Sequence, residues 1–262
     1  MLTVDVAQPM ERHVRPASPL LGIYTYAEFF SLAVGFLPLM VAAAVRHRHD
    51  VSKRIPGRWM RRFGKLSSRL APTWTFSWDG EPPSDVLRKP YVVISNHEST
   101  ADPFLLSHLP WDMRWIAKEE IFKLPLLGWM MHACGDIPVR RGDRESVARM
   151  MSACEDTLRA GLPIMMFPEG TRSKTGELLP FRDGAFELAI RAQVPVLPLA
   201  LAGTRNCRPK GSLWFGRARS HVRVLTPIAT QGMTLEDLPR LRDSARDIIG
   251  SAVTELRSEL SI

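Results

Sequence analysis

Apolar and polar positions divide this chain into two textures that meet near residue 70. Leu20 to Val45 is an apolar run of 26 residues whose only charge is Glu28. At helical rise it reaches about 39 Å, against about 30 Å for a bilayer hydrocarbon core. Glu28 would cost about 3 kcal/mol at mid-bilayer, and Pro38 kinks or divides a helix. A straight span, a tilted helix and a membrane-embedded hairpin all fit the run. Next comes a stretch where Trp59, Phe63, Leu66 and Leu70 recur at helical spacing between basic residues. That pattern predicts an amphipathic helix lying on anionic headgroups.

After Pro72 the apolar segments become short. Trp74, Phe76 and Trp78 alternate with small polar residues until Gly80, Pro82 and Pro83, as in a strand. Tyr91–Ile94, Leu162–Phe167 and Pro195–Ala202 are continuous apolar runs suited to buried strands, and Val222 and Val224 alternate in another. Between them, Ser146–Ala160 places Val147, Met150, Met151, Cys154 and Leu158 at helical spacing and stops at Gly161. The segment from Thr234 opens as Thr-x-x-Asp, like a capping box, and continues amphipathically through Leu238, Leu241, Ile248 and Leu256. Strands alternating with helices predict an α/β layered domain with a largely parallel sheet, residues 71–262. An N-terminal membrane-associating helical region, residues 1–70, precedes it.

Charge sharpens the boundary. Between Arg46 and Leu70 stand nine Lys or Arg residues against one acid, Asp50, so this stretch holds the whole formal excess of +8. One local anionic surface is implied, not a globally basic nucleic-acid binder. Ala42-Ala43-Ala44 resembles a signal-peptidase site, but the run is long for a signal and the dense positive charge after it resists translocation. The charge therefore places the domain on the cytoplasmic side. Cys134, Cys154 and Cys207 form no Cys-x-x-Cys pair and read as buried thiols in a reducing compartment.

Two segments carry candidate chemistry. Asn96-His97-Glu98-Ser99-Thr100-Ala101-Asp102 directly follows a predicted buried strand. A histidine at a strand end meets solvent, and an aspartate in the next turn can fold back onto Nδ1, leaving Nε2 as a general base. A histidine merely capped by a helix acid fits the spacing equally. Phe167-Pro168-Glu169-Gly170-Thr171-Arg172-Ser173 follows another predicted strand, in a turn that should expose Glu169, Thr171 and Arg172 together. Arg172 offers a planar fork for phosphate. Pro195 and Pro198 suggest an irregular strand at a pocket wall. The remaining histidines (His13, His47, His49, His108, His132 and His221) suggest no site, and no metal site can be assembled from the sequence.

Over roughly residues 74–228 the chain resembles the 1-acylglycerol-3-phosphate acyltransferase family. Four blocks match in order: Asn96-His97 through Asp102, Gly135-Asp136-Ile137-Pro138-Val139-Arg140, Phe167 through Ser173, and Val194-Pro195-Val196-Leu197-Pro198. The resemblance implies transfer of a fatty acyl group from acyl-CoA or acyl-carrier protein, as substrate and without a cofactor. The acceptor would be the free sn-2 hydroxyl of lysophosphatidic acid. It implies that His97 abstracts the hydroxyl proton, Asp102 orients His97, and Arg140, Arg172 and Lys118 hold the acceptor phosphate. Glu169, Gly170 and Thr171 would shape that pocket. Another lysophospholipid or a lyso-aminolipid would serve the same chemistry. A catalytically inert module binding anionic membranes is the competing class, and the intact His97/Asp102 pair argues against it. Nucleic-acid binding finds no supporting fold signal.

Overall fold

The computed structural model describes residues 19–173, 176–208 and 215–262. His13 lies outside them.

Its elements, in chain order, are α1 (Pro19–Arg46), α2 (Arg54–Leu70), β1 (Trp74–Asp79), β2 (Val92–Ser95), α3 (Asp102–Leu106) and β3 (Arg114–Lys118). They continue with α4 (Glu119–Phe122), α5 (Leu127–Cys134), β4 (Ile137–Val139), α6 (Arg144–Arg159), β5 (Ile164–Met166), α7 (Gly184–Ala192), β6 (Val196–Ala202), β7 (Ala218–Val224) and α8 (Leu238–Leu260). The strands form one sheet in the order β1-β7-β6-β2-β5-β3-β4. Every neighbouring pair is parallel except β6–β7. The α/β class and its largely parallel sheet match the expectation from the sequence.

The continuous apolar runs are strands buried on both faces, and their side chains still alternate. Val92, Ile94, Val196, Ala200 and Ala202 pack with Met150, Cys154 and Leu158 of α6, Phe186 and Ala189 of α7, and Leu241, Ile249 and Val253 of α8. Val93, Leu197, Leu199 and Leu201 face the other way, onto Leu105, Leu106, Leu109 and Trp111. On α8 the buried apolar position is Ile249, while Ile248, expected inside, is 42% exposed.

β6 corrects the expectation of an irregular strand. It is regular, central and fully buried despite Pro198. The proline's missing N–H falls at the end of the β6–β7 ladder, where its carbonyl still accepts from Leu225 N at 3.1 Å. Only one ladder bond is forfeited there.

The N-terminal run is one unbroken helix with Pro38 inside, so the hairpin alternative does not hold. At 28 residues it is long and apolar enough to cross a membrane. Much of it is uncovered, with Leu20, Ile23, Phe30, Val34 and Val45 among its exposed side chains. Its inner side closes on α2 and α5 through Ala33, Met40, Phe63, Met130 and Cys134. Glu28, the charge inside the run, accepts from Ser67 Oγ of α2 at 3.2 Å.

Asp50, the lone acid of the basic stretch, organises the approach to α2 by accepting from Ser52 N (2.9 Å) and Arg54 N (3.3 Å). The buried Asp112 gathers Arg58 (2.8 Å) and Arg61 (2.7 Å), with Arg54 at 3.8 Å. Three of the nine basic residues are therefore committed inward, and the charge available to an outside surface is smaller than the sequence suggests.

Candidate active site

β2, β5, β3 and β4 lie side by side and run parallel, so their carboxyl ends open on one edge of the sheet. Ligands of open α/β sheets bind outside such ends. His97 lies two residues after β2, the Phe167 segment directly after β5, Lys118 closes β3, and Arg140 directly follows β4. The sheet thus gathers all four sequence blocks but the last.

His97 Nδ1 donates to Asp102 Oδ2 at 2.6 Å. Its ring stacks on Phe167 with centroids 4.0 Å apart, and its side chain is 16% exposed. Among the described residues nothing bonds Nε2, so this lone pair is open to a reacting hydroxyl. Asp102 is fully buried and also accepts from Glu98 N (2.9 Å), Ser99 N (3.1 Å) and the Thr204 hydroxyl. Such a set of donors fixes the carboxylate's position beneath the imidazole. Asn96, by contrast, belongs to the sheet: its side chain exchanges two 2.9 Å bonds with the backbone of Leu201.

The second block is arranged differently from the expectation. Glu169 is buried, not exposed beside Thr171 and Arg172. Its carboxylate accepts from His97 N (2.6 Å) and Leu179 N (3.0 Å), tying the two loops together. Burial raises its pKa, and those two backbone donors pull it back toward the charged form. Thr171 is exposed, and Arg172 is half-exposed. Gly170 turns with φ of 67°, and a Cβ there would meet Arg182 Nε at 2.7 Å. The glycine is thus needed both for the turn and for the arginine that packs over it.

The cationic centre also shifts from the expected one. Arg140 closes on Glu119 through two bonds, at 2.9 and 3.1 Å, and lies 3.5 Å from Asp143. Its neighbour Arg141 is held below the usual guanidinium range by burial and then by the nearby charges of Arg182 and Arg172. Three arginines from two loops, Arg141 after β4 and Arg172 and Arg182 between β5 and α7, therefore lie within reach of one another's charge. Glu120 offsets part of this positive charge at Arg141. Lys118 is exposed at the end of β3, in register with Val139, one residue before Arg140. Sequence reasoning chose Arg140 and passed over Arg141 and Arg182. No spacing in the chain marks the latter two as partners.

One further tie crosses the fold. Arg257 of α8 donates to Glu98 Oε1 at 2.8 Å and to the Gly176 carbonyl. Glu98 also accepts from Gly203 N at 3.1 Å. The loops carrying His97, Arg172 and Thr204 are thus joined from behind.

A family model for acyltransferases matches residues 80–202. The chain is 33% identical over 180 residues to the human 1-acyl-sn-glycerol-3-phosphate acyltransferase alpha, covering 68% of this chain and 62% of that protein. It is 34% identical over 179 residues to a 1-acyl-sn-glycerol-3-phosphate acyltransferase of Chlamydomonas reinhardtii, covering 67% of this chain and 53% of that one. It thus spans between about half and three fifths of these relatives' length. Among solved structures, the 1-acyl-sn-glycerophosphate (LPA) acyltransferase PlsC of Thermotoga maritima superimposes with a TM-score of 0.75 at 25% identity. That match covers 91% of this chain and 95% of the other.

Proposed function

Since the chain belongs, through residues 80–202, to the acyltransferase family, we propose that it acylates the free sn-2 hydroxyl of lysophosphatidic acid, forming phosphatidic acid. The carrying observation is that His97, bonded to buried Asp102 and open at Nε2, shares a sheet edge with the Arg141/Arg172/Arg182 cluster. In this reading Nε2 takes the acceptor's hydroxyl proton as the oxygen attacks the carbonyl of an acyl-CoA or acyl-carrier-protein thioester. The tetrahedral adduct collapses, the C–S bond breaks, and the thiol leaves with a proton from the imidazolium. Asp102 stabilises the transient cation. No serine or cysteine nucleophile is needed. General-base catalysis supplies about 10²- to 10⁴-fold, so holding the two lipids in place must supply much of the remainder.

The arginines separate this reading from a purely structural one. Arg141→Ala and Arg172→Ala should each raise the KM for lysophosphatidic acid about tenfold to a hundredfold, the cost of a lost charged hydrogen bond. The KM for the acyl donor should stay near its original value. Arg172→Lys should restore part of the loss, since an ammonium is no substitute for a planar fork. Arg140→Ala, losing its ties to Glu119 and Asp143, should change the acceptor KM little. Steady-state kinetics with each substrate varied in turn decides the matter. Equal effects on donor and acceptor would sink the assignment.

Membrane association rests on α1 and its uncovered apolar side. The positive charge after α1 and the location of acyl-CoA and acyl-carrier protein favour a catalytic domain facing the cytoplasm. Full-length protein in a membrane fraction should stay bound through a high-salt wash and come off only with detergent. Salt screens the headgroup attraction of α2 but not the burial of α1. Release by salt alone would limit the attachment to the surface.

A further inference from the structure

Six basic residues of α2 (Arg54, Arg58, Arg61, Arg62, Lys65 and Arg69) fall within about 100° of the helix circumference. Below them lies a cavity of about 290 Å³ lined by Arg58, Arg61, Arg62, Lys65, Leu87 and Asp112, together with the turn after α3. It is on α2 and behind α3, apart from the arginine cluster of the active site.

Asp112 is the one carboxylate among the residues that line this cavity, against four basic side chains. Asp112 serves Arg58 and Arg61, yet the Nε of Arg61 is buried with no hydrogen-bond partner. A buried unsatisfied N–H of a charged group costs on the scale of a lost hydrogen bond and calls for a partner. Lys65 is half-buried and, among the described residues, has no carboxylate within ion-pair reach. Burial and the neighbouring charges of Arg69 and Arg61 hold its ammonium below the usual lysine range. The same surroundings push the adjoining His108 down to about 4, through burial first and then Lys65 and Arg69. Arg62 has its guanidinium 4.8 Å above the Trp59 ring, which fixes it at the cavity rim.

We propose that this cavity is an accessory site for the phosphate of an anionic bilayer phospholipid, bound by Lys65 and Arg62. Charge complementarity supplies the anion. The lipid source follows from what flanks the cavity. Leu66 and Leu70 are exposed on α2 beside the basic stripe, on the side leading to α1, whose uncovered face is apolar. Leu87, 58% exposed, adds an apolar wall to the cavity itself. A headgroup phosphate in the cavity would leave its glycerol against Leu87 and its chains toward Leu66 and Leu70. Free phosphate would use none of these. The inference rests on the membrane reading of α1 and is independent of the acyl-transfer reading.

The test uses the full-length chain in neutral detergent, following thermal unfolding with dihexanoyl-phosphatidylglycerol, dihexanoyl-phosphatidylcholine or inorganic phosphate. Phosphatidylglycerol is chosen because it is neither acceptor nor product of the proposed reaction. It should raise Tm saturably, as a ligand of the folded state does. Phosphatidylcholine, whose choline meets the basic stripe, should not. Lys65→Gln and, separately, Arg62→Gln should weaken the phosphatidylglycerol effect at least tenfold while acyl transfer in detergent stays normal. Neither change touches the Asp112 tether, and unliganded Tm verifies that each variant folds. His97→Ala should keep the full effect. A Tm response unchanged in both α2 variants overturns the site, and so does a response lost in Arg172→Ala instead. Saturation by inorganic phosphate, with no further gain from the lipid, overturns the lipid assignment. Loss of acyl transfer alone, with phosphatidylglycerol binding intact, counts against the acyltransferase reading and leaves this site standing.

Discussion

His97→Ala should lower the turnover of lysophosphatidic acid by about 10²- to 10⁴-fold while leaving Tm within a few degrees of its original value. The imidazole is partly exposed at the end of β2, so its removal opens no core cavity, although the Phe167 face it covered becomes wet. Asp102→Asn should match it in turnover for a different reason. A neutral amide cannot stabilise an imidazolium, and it can turn its own N–H₂ toward Nδ1, favouring the wrong tautomer. Buried among Glu98 N, Ser99 N and Thr204, that amide would also face donors with a donor, so Asp102→Asn should lose stability where His97→Ala does not. Turnover with saturating lipids, alongside thermal melting of each variant, separates the two. A His97→Ala enzyme within a few-fold of normal turnover would remove the general base from the mechanism.

The largest stability effect should come from a residue outside the chemistry. Arg114 is 2% exposed at the start of β3. It donates to the carbonyls of Cys134 and Ser52, and lies 3.9 Å from the buried Asp136. Arg114→Met should cost about 3–5 kcal/mol, because it strands a carboxylate and two carbonyls in the interior. The penalty carries a pH signature. Burial pushes the Asp136 carboxyl up to about 6, against the pull of Arg114 and of Trp115 N. A folded pKa raised above the unfolded one means that the group's stabilising contribution is full below about 4 and is lost as pH rises through about 6. Without Arg114 the charged form is disfavoured further. The penalty should therefore be largest above pH 6 and shrink toward pH 5, where Asp136 holds a proton. Denaturant melts of the detergent-solubilised protein at pH 7.5 and 5 measure this, and Asp136→Asn placed on Arg114→Met should recover part of the loss at the higher pH. A penalty independent of pH would show that the carbonyls, not Asp136, account for it.

Much of this architecture is legible in the sequence because burial on both faces of a sheet leaves a plain trace. β2, β5 and β6 are runs of apolar residues, and Phe76 and Val222 mark the alternating strands beside them. β3 and β4 left no such trace. β3 begins and ends on charges, Arg114 and Lys118, and β4 is three residues with a proline in the middle. The His97/Asp102 pair was readable because the two lie five residues apart and meet within one turn. The arginine cluster was not, since Arg141, Arg172 and Arg182 meet only once β4 and β5 have taken their places in the sheet. Glu169 was misread because a carboxylate taken up by backbone N–H groups has no partner side chain to betray it. The count of positive charges was right, but their destination was not, because Asp112 lies more than forty residues from the arginines it holds.

The tie between Arg257 and Glu98 spans 159 residues and has a consequence for biosynthesis. A chain emerging from the ribosome offers α1 to a bilayer while most of the sheet is still unmade. His97 and Asp102 can find each other soon afterwards, being neighbours. Glu98 lacks its guanidinium partner until α8 has been translated and docked. A nascent or stalled chain lacking that helix is thus anchored before its reactive loop is braced.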